Sequence, residues 1–141
     1  MRYFAVKYRL ITEPVDTVSG EGQTAQFNCS TSLSVHVNWD FVNTTGSRRT
    51  IFGRSGIIMP HFKPRFNVTR EDGGHYNLVI RNVSFSDAGR YFCIDEQGFG
   101  FGGWANEGLW ATADLIVIGK YGCRKYVFNV LVAPGAHFWM R

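Results

Sequence analysis

The sequence predicts an all-β protein, an antiparallel sandwich of about nine short strands. Three observations predict it. Apolar and polar residues alternate one for one through several short runs, the period of a strand with one buried face. Clusters of glycine, proline, asparagine and serine separate those runs, and no stretch keeps a helical period for longer than a turn. Aromatic residues are 16% of the 141 residues and charged ones only 18%, so the chain can fill a core and escapes the composition of a disordered protein. At this length it holds one domain with flanking pieces.

The elements follow in order. Residues 1–9 carry no pattern and read as an extension. Residues 10–18 suit a split edge strand that changes sheets at Pro14, since proline cannot donate to an interior ladder. A turn over residues 19–22 leads to a run with Ala25, Phe27 and Cys29 inward and Gln26 and Asn28 outward. The next run places Val35, Val37, Trp39 and Phe41 on the core side and His36, Asn38 and Asp40 on the other. Residues 43–48 form a polar loop, and residues 50–58 hold two short strand candidates around Gly53 and Gly56. After a connection between Pro60 and Pro64, Phe66 and Val68 point inward from one strand, and Tyr76, Leu78 and Ile80 from the next. Val83 closes the core beneath a turn at Asp87. Tyr91 and Cys93 face inward on the following strand, a glycine-rich loop intervenes, and the last strand, residues 109–118, buries Ala113, Leu115 and Val117.

The stretch Asp87-Ala88-Gly89-Arg90-Tyr91-Phe92-Cys93 organises the rest. Cys29 lies far upstream of Cys93, Trp39 lies ten residues beyond Cys29, and Arg65 heads a strand-like run. This constellation resembles the immunoglobulin superfamily, in particular its V-set branch, over roughly residues 10–119. The resemblance implies an immunoglobulin-like V-type antiparallel β-sandwich with Greek-key connections. It implies a Cys29–Cys93 disulfide between the sheets, packed on Trp39, and a tyrosine corner at Tyr91. It also implies a forked ion pair between Arg65 and Asp87 that closes one end of the domain. The additional strand candidates after Trp39 favour the V type over the shorter constant type. A disulfide closing so long a loop contributes about 4 kcal/mol in the chain-entropy model.

Several function classes are excluded. The net charge of +4 is small and its Lys and Arg residues are dispersed, which argues against nucleic acid. The three cysteines, Cys29, Cys93 and Cys123, have no zinc spacing, and neither metal nor cofactor is expected. Gly98, Gly100 and Gly103 fit a dinucleotide-binding pattern formally. That pattern works only where a helix follows, and here a strand does. His36, His61, His75 and His137 are scattered singly, and Asp95 and Glu96, adjacent on a strand, point to opposite faces. No catalytic constellation emerges, so the chain does not read as an enzyme.

Binding is better supported. With Tyr91 and Cys93 inward, Phe92 and Ile94 lie on the outer face of their sheet, joined by Trp110 and Ile116 of the last strand. The resemblance makes this the G-F-C-C′ face, through which V-type domains pair. The F–G loop adds Phe99, Phe101 and Trp104 among glycines, either as part of an exposed aromatic cluster or folded back on the sheet. Asn28, Asn43, Asn67 and Asn82 head Asn-x-Ser/Thr glycosylation sites, and none falls on that face. The basic residues Arg48, Arg49, Arg54, Lys63 and Arg65 read as a solvated, charge-protected edge.

The expected function is therefore extracellular recognition of a protein partner, either homophilic or another immunoglobulin-like domain. The alternative is a carbohydrate-binding module that stacks a glycan on Trp104 and Phe101 beside Asp95 or Glu96. A spacer domain with no binding role is a third reading. The joining-segment motif Phe-Gly-x-Gly of rearranging receptors is missing, since Leu109-Trp110-Ala111-Thr112 stands at its position. A germline-encoded adhesion or innate-recognition domain fits better. No segment has the apolar length of a membrane span or a leader peptide, so the expectation is a fragment of a longer secreted or cell-surface protein. Residues 120–141 read as a linker or truncated start of a second domain, with Cys123 belonging to that domain or serving an intermolecular bridge.

Overall fold

The computed structural model describes residues 10–32, 36–70, 74–95, 110–119 and, for the backbone alone, 71 and 124–125. Eleven short strands form two sheets: β1 Leu10–Thr12, β2 Thr17–Gly20, β3 Ala25–Phe27, β4 Ser30–Thr31, β5 Val37–Asn43, β6 Arg48–Phe52, β7 Phe66–Glu71, β8 His75–Ile80, β9 Gly89–Asp95, β10 Trp110–Ile118 and β11 Arg124–Lys125. One sheet runs β1-β4-β8-β3, with β7 on the other edge of β8, and the second runs β11-β10-β9-β5-β6, with β2 beside β10. All pairings are antiparallel except β2 with β10. The architecture is all-β, a V-type sandwich, and the only helical turns among the described residues are the 3-10 turns Pro60–Phe62 and Phe85–Asp87.

Pro14 divides the first edge strand. β1 pairs with β4 in one sheet and β2 crosses to β10 in the other, because a buried proline without an N–H cannot continue either ladder. Alternation then fixes the layers. Along β8 each of Tyr76, Leu78 and Ile80 is buried between half-exposed neighbours, and β10 repeats the pattern with Ala111, Ala113, Leu115 and Val117. Between the sheets Trp39 is fully enclosed, and its indole N–H donates to the Tyr76 carbonyl at 2.8 Å. That bond satisfies the single polar atom of a large apolar group. The Cys29–Cys93 disulfide joins the sheets beside it, with Phe27, Tyr91 and Phe41 stacking in sequence at centroid distances of 5.0 and 4.7 Å. Each such buried side chain contributes about 1.5–3 kcal/mol relative to exposure.

The structure departs from the sequence expectation in four places. The loop after β5 is shorter than expected, since β6 already begins at Arg48. Of the two strand candidates in residues 50–58 only the first forms; the second is an isolated Phe52–Ile58 bridge. A turn through Gly56 and the proline at position 60 leave too few residues for a ladder. His36 does not project to solvent: its ring stacks on Phe52 at 5.1 Å and meets Tyr76 edge-on, and its Nε2 contacts the Gly53 carbonyl. It sits just before β5, where the alternation of the strand has not yet begun; its expected neighbour Val35 lies outside the described residues. Arg124 and Lys125 pair with Ile118 and Val117, so these two residues add to the sheet of this domain. β2 occupies one edge of that part of β10, so β11 takes the other, which β9 leaves free beyond Gly89.

Candidate functional site

The outer face of the larger sheet is a grid set by strand register. One row crosses β5, β9 and β10 as Asn38, Ile94 and Trp110; the next is Asp40, Phe92 and Thr112; the third is Val42, Arg90 and Asp114. Period-two geometry sends these side chains away from the core that Trp39, Phe41, Tyr91 and Cys93 fill.

The rows differ in chemistry. Phe92 is half-buried, with the Trp110 ring 6.3 Å away and the Arg48 guanidinium 4.6 Å from its centroid. Arg48 reaches it diagonally from β6 and is held there by Asp40, whose Oδ2 accepts from Nη2 at 2.8 Å and Nε at 3.0 Å. A cation over an aromatic face contributes about 0.5–1 kcal/mol at an exposed site. In the third row Arg90 forks onto Asp114 at 2.9 and 3.2 Å, and the Asp114 N–H donates to Asp16 ahead of β2. Hydrogen bonding to Asp114 holds the Arg90 guanidinium above its ordinary pKa against the opposing effect of burial.

Ile94 does not offer itself as expected. It is 1% exposed yet stands apart from the inter-sheet core, closed in on the outer face between Asn38 and Trp110. The Asn38 Oδ1 beside it is buried and lacks a hydrogen-bond partner among the described residues. Asp95 also fails its expected role beside a sugar. It shares the inward parity of Tyr91 and Cys93, is fully buried, and its Oδ2 accepts the Thr31 hydroxyl at 2.6 Å across the two sheets. Phe99, Phe101, Trp104 and Glu96 lie outside the described residues, as does Cys123.

At the opposite end of the domain Arg65 forks onto Asp87 at 2.7 and 2.9 Å, while its Nη1 also donates to the Arg81 and Asn82 carbonyls. The hydrogen bond to Asp87 raises the pKa of Arg65 further, outweighing the effect of burial. The Tyr91 hydroxyl donates to the Asp87 carbonyl at 2.6 Å. Burial, and after it the Asp87 charge, push the phenol well above its ordinary 10.0, with Arg65 opposing. Asn28 and Asn67 are exposed on the outer face of the smaller sheet. Asn43 is half-buried at the β5–β6 turn, and Asn82 is exposed between β8 and β9.

The Arg48–Asp40 and Arg90–Asp114 pairs escaped the sequence reading. Outward parity was available for Asp40, Arg90 and Asp114, but pairing them needs the register of three strands, which one sequence does not supply.

The family model for the Immunoglobulin V-set domain matches residues 12–103. The chain belongs to the immunoglobulin V-set family. Among solved structures, this V-set domain resembles the first Ig domain of the mouse Polymeric Immunoglobulin receptor, with a TM-score of 0.61 and 18% identity over 79% of this chain and 96% of that one. At that identity the likeness is one of fold. V-set domains are generally recognition modules. Among the described residues no helix is long and apolar enough to cross a membrane, and no group of three His, Cys, Asp or Glu side chains could hold a metal.

Proposed function

We propose that this V-set domain is an extracellular recognition module that binds a protein partner through the outer face of β10, β9, β5 and β6. One observation carries the reading. The larger sheet puts Phe92 in the middle row of its outer face with Trp110 beside it at the start of β10, whereas the smaller sheet presents Gln26, Asn28, Asn67 and Asn77. Half-exposed aromatic side chains at the centre of a patch are the commonest hot spots of protein interfaces. Arg48 and Asp40 form a charged rim beside them, the arrangement of an apolar centre with a polar border. A disulfide and the glycosylation sequons at Asn28, Asn67 and Asn82, away from this face, support an extracellular setting. The carbohydrate alternative has lost Asp95 to the interior, and no described residue favours it at that end.

The partner is a second copy of this chain or another immunoglobulin-like domain. Sedimentation equilibrium of the disulfide-bonded chain tests the first arm. A concentration-dependent dimer is expected, and Phe92→Asp is expected to abolish it while the thermal transition stays within a few degrees of wild type. A dimer that survives Phe92→Asp with the same association constant would remove the face assignment.

A further inference from the structure

A cleft of about 210 Å³ opens at the end of the sandwich where the β5–β6 turn meets the segment ahead of β9. That volume equals roughly seven waters at about 30 Å³ each, room for one sugar ring or one side chain. Its chemistry follows from strand parity. Arg48 and Arg49 are neighbours on β6, so they leave on opposite faces: Arg48 lies opposite Val42 and turns to the outer grid, while Arg49 lies opposite Phe41 and lines the cleft. The cleft holds a second guanidinium, Arg65, but Asp87 neutralises it. Arg49 has no ion-pair or hydrogen-bond partner among the described residues. The cleft therefore contains one uncommitted cation.

The rest of the lining is rich in unspent hydrogen-bonding capacity. The Asn43 Oδ1 accepts from the Thr45 N–H, the Thr45 hydroxyl and the Ser47 N–H, which fixes the amide and leaves its NH2 without a partner among the described residues. Ser47 and Ser86 line the same space, and the Ser86 hydroxyl shares a single hydrogen bond with Ser84. Phe62 and His61, ring to ring at 5.1 Å, supply an apolar wall. A guanidinium fork grips a carboxylate through two parallel N–H···O bonds, amide and hydroxyl groups read sugar hydroxyls, and an aromatic wall suits the apolar side of a pyranose.

We infer that this cleft is a binding site for a sugar acid, a pyranose ring carrying a carboxylate. Arg49 holds the carboxylate, and Asn43, Ser47 and Ser86 meet the ring hydroxyls. The site is independent of the face proposed above, because β6 sends Arg48 to one and Arg49 to the other. An acidic protein side chain would engage the arginine alone and leave the amide and hydroxyls unused.

The test is a titration of the full chain, refolded with its disulfide formed and without glycans, since the Asn43 amide nitrogen is also the atom a glycan would take. Sodium glucuronate is the probe, and the side-chain Nε–H resonance of Arg49 is the readout in two-dimensional NMR. A saturable shift is expected with glucuronate and none with glucose. Acetate is expected to bind at least about tenfold more weakly, as loss of the hydroxyl contacts requires. Arg49→Ala, followed at His61, is expected to weaken glucuronate at least about tenfold with no change in melting temperature, and Arg48→Ala to leave it unchanged. The inference is overturned if glucuronate gives no saturable shift, if Arg49→Ala binds it like wild type, or if acetate binds equally well. N-acetylglutamate binding as tightly as glucuronate would assign the cleft to an acidic side chain and overturn it as well.

Discussion

At the scale of single residues, the segment from Asp87 to Cys93 shows why each position holds what it does. Asp87 receives Arg65 and the Ser84 N–H, and its carbonyl takes the Tyr91 hydroxyl. Gly89 has φ of 151°, and a Cβ there would run into the Val42 carbonyl and the Phe41 ring, so β5 and β9 approach as closely as they do only around a glycine. Gly89→Ala is expected to cost about 2–4 kcal/mol through strain and overpacking, read as a fall in the denaturation midpoint. Tyr91→Phe removes one buried hydrogen bond and leaves the Asp87 carbonyl unsatisfied, an expected loss of about 1–3 kcal/mol. The phenol also gives a pH signature. Its folded pKa lies well above the ordinary 10.0, so its contribution is complete below pH 10.0 and is lost as pH rises above it, when only the unfolded chain ionises freely. Wild-type stability is therefore expected to fall above pH 10.0, and Tyr91→Phe to fall less steeply across the same interval in denaturation curves.

At the scale of elements, the strands were legible and their lateral relations were not. Alternation through Ala25-Gln26-Phe27 or Tyr76-Asn77-Leu78 states which side faces in, because period two is a property of the strand itself. Pro14 marked the change of sheet for the same local reason. Ile94 shows the limit: parity put it outside correctly, but its burial is not a property of β9 alone, and its neighbours Asn38 and Trp110 come from two other strands. Arg49 is a similar case. One sequence gives five basic residues from β6 to β7; only the fold commits Arg48 to Asp40 and Arg65 to Asp87 and leaves Arg49 in a cleft. The buried Thr31–Asp95 bond, which ties β4 to β9 two residues beyond the disulfide in each strand, likewise has no local signature. Thr31→Val would leave an enclosed carboxylate short of a donor. An expected cost of about 1–3 kcal/mol, measured in urea, follows, and a change below 0.5 kcal/mol would show that Asp95 is satisfied by other groups.

At the scale of the whole molecule, the two sheets are held by a core rich in aromatic side chains and one covalent bridge across 64 residues of chain. The chain-entropy model assigns that bridge about 4 kcal/mol, a large fraction of the 5–15 kcal/mol typical of a domain. Replacing Cys29 and Cys93 together by alanine is expected to lower the urea midpoint sharply and still leave a cooperative transition, because Phe27 also packs directly on Trp39 and Tyr91. Recognition and stability are separated in space by this plan. The outer grid and the end cleft draw on side chains outside or at the margin of the core, so substitutions at Phe92 or Arg49 are expected to alter the proposed binding without dismantling the sandwich.

The parallel pairing of β2 with β10 has a mechanical consequence. Chain tension applied before β2 and after β10, once β1 has yielded, draws the two strands past each other along their length. Four residue pairs, Thr17 to Gly20 against Leu115 to Ile118, then carry the load together. A hairpin peeled from its open end surrenders its bonds one after another and gives way at low force. Here the ladder must rupture as a block, so the domain is expected to resist extension along the line from β2 to β10.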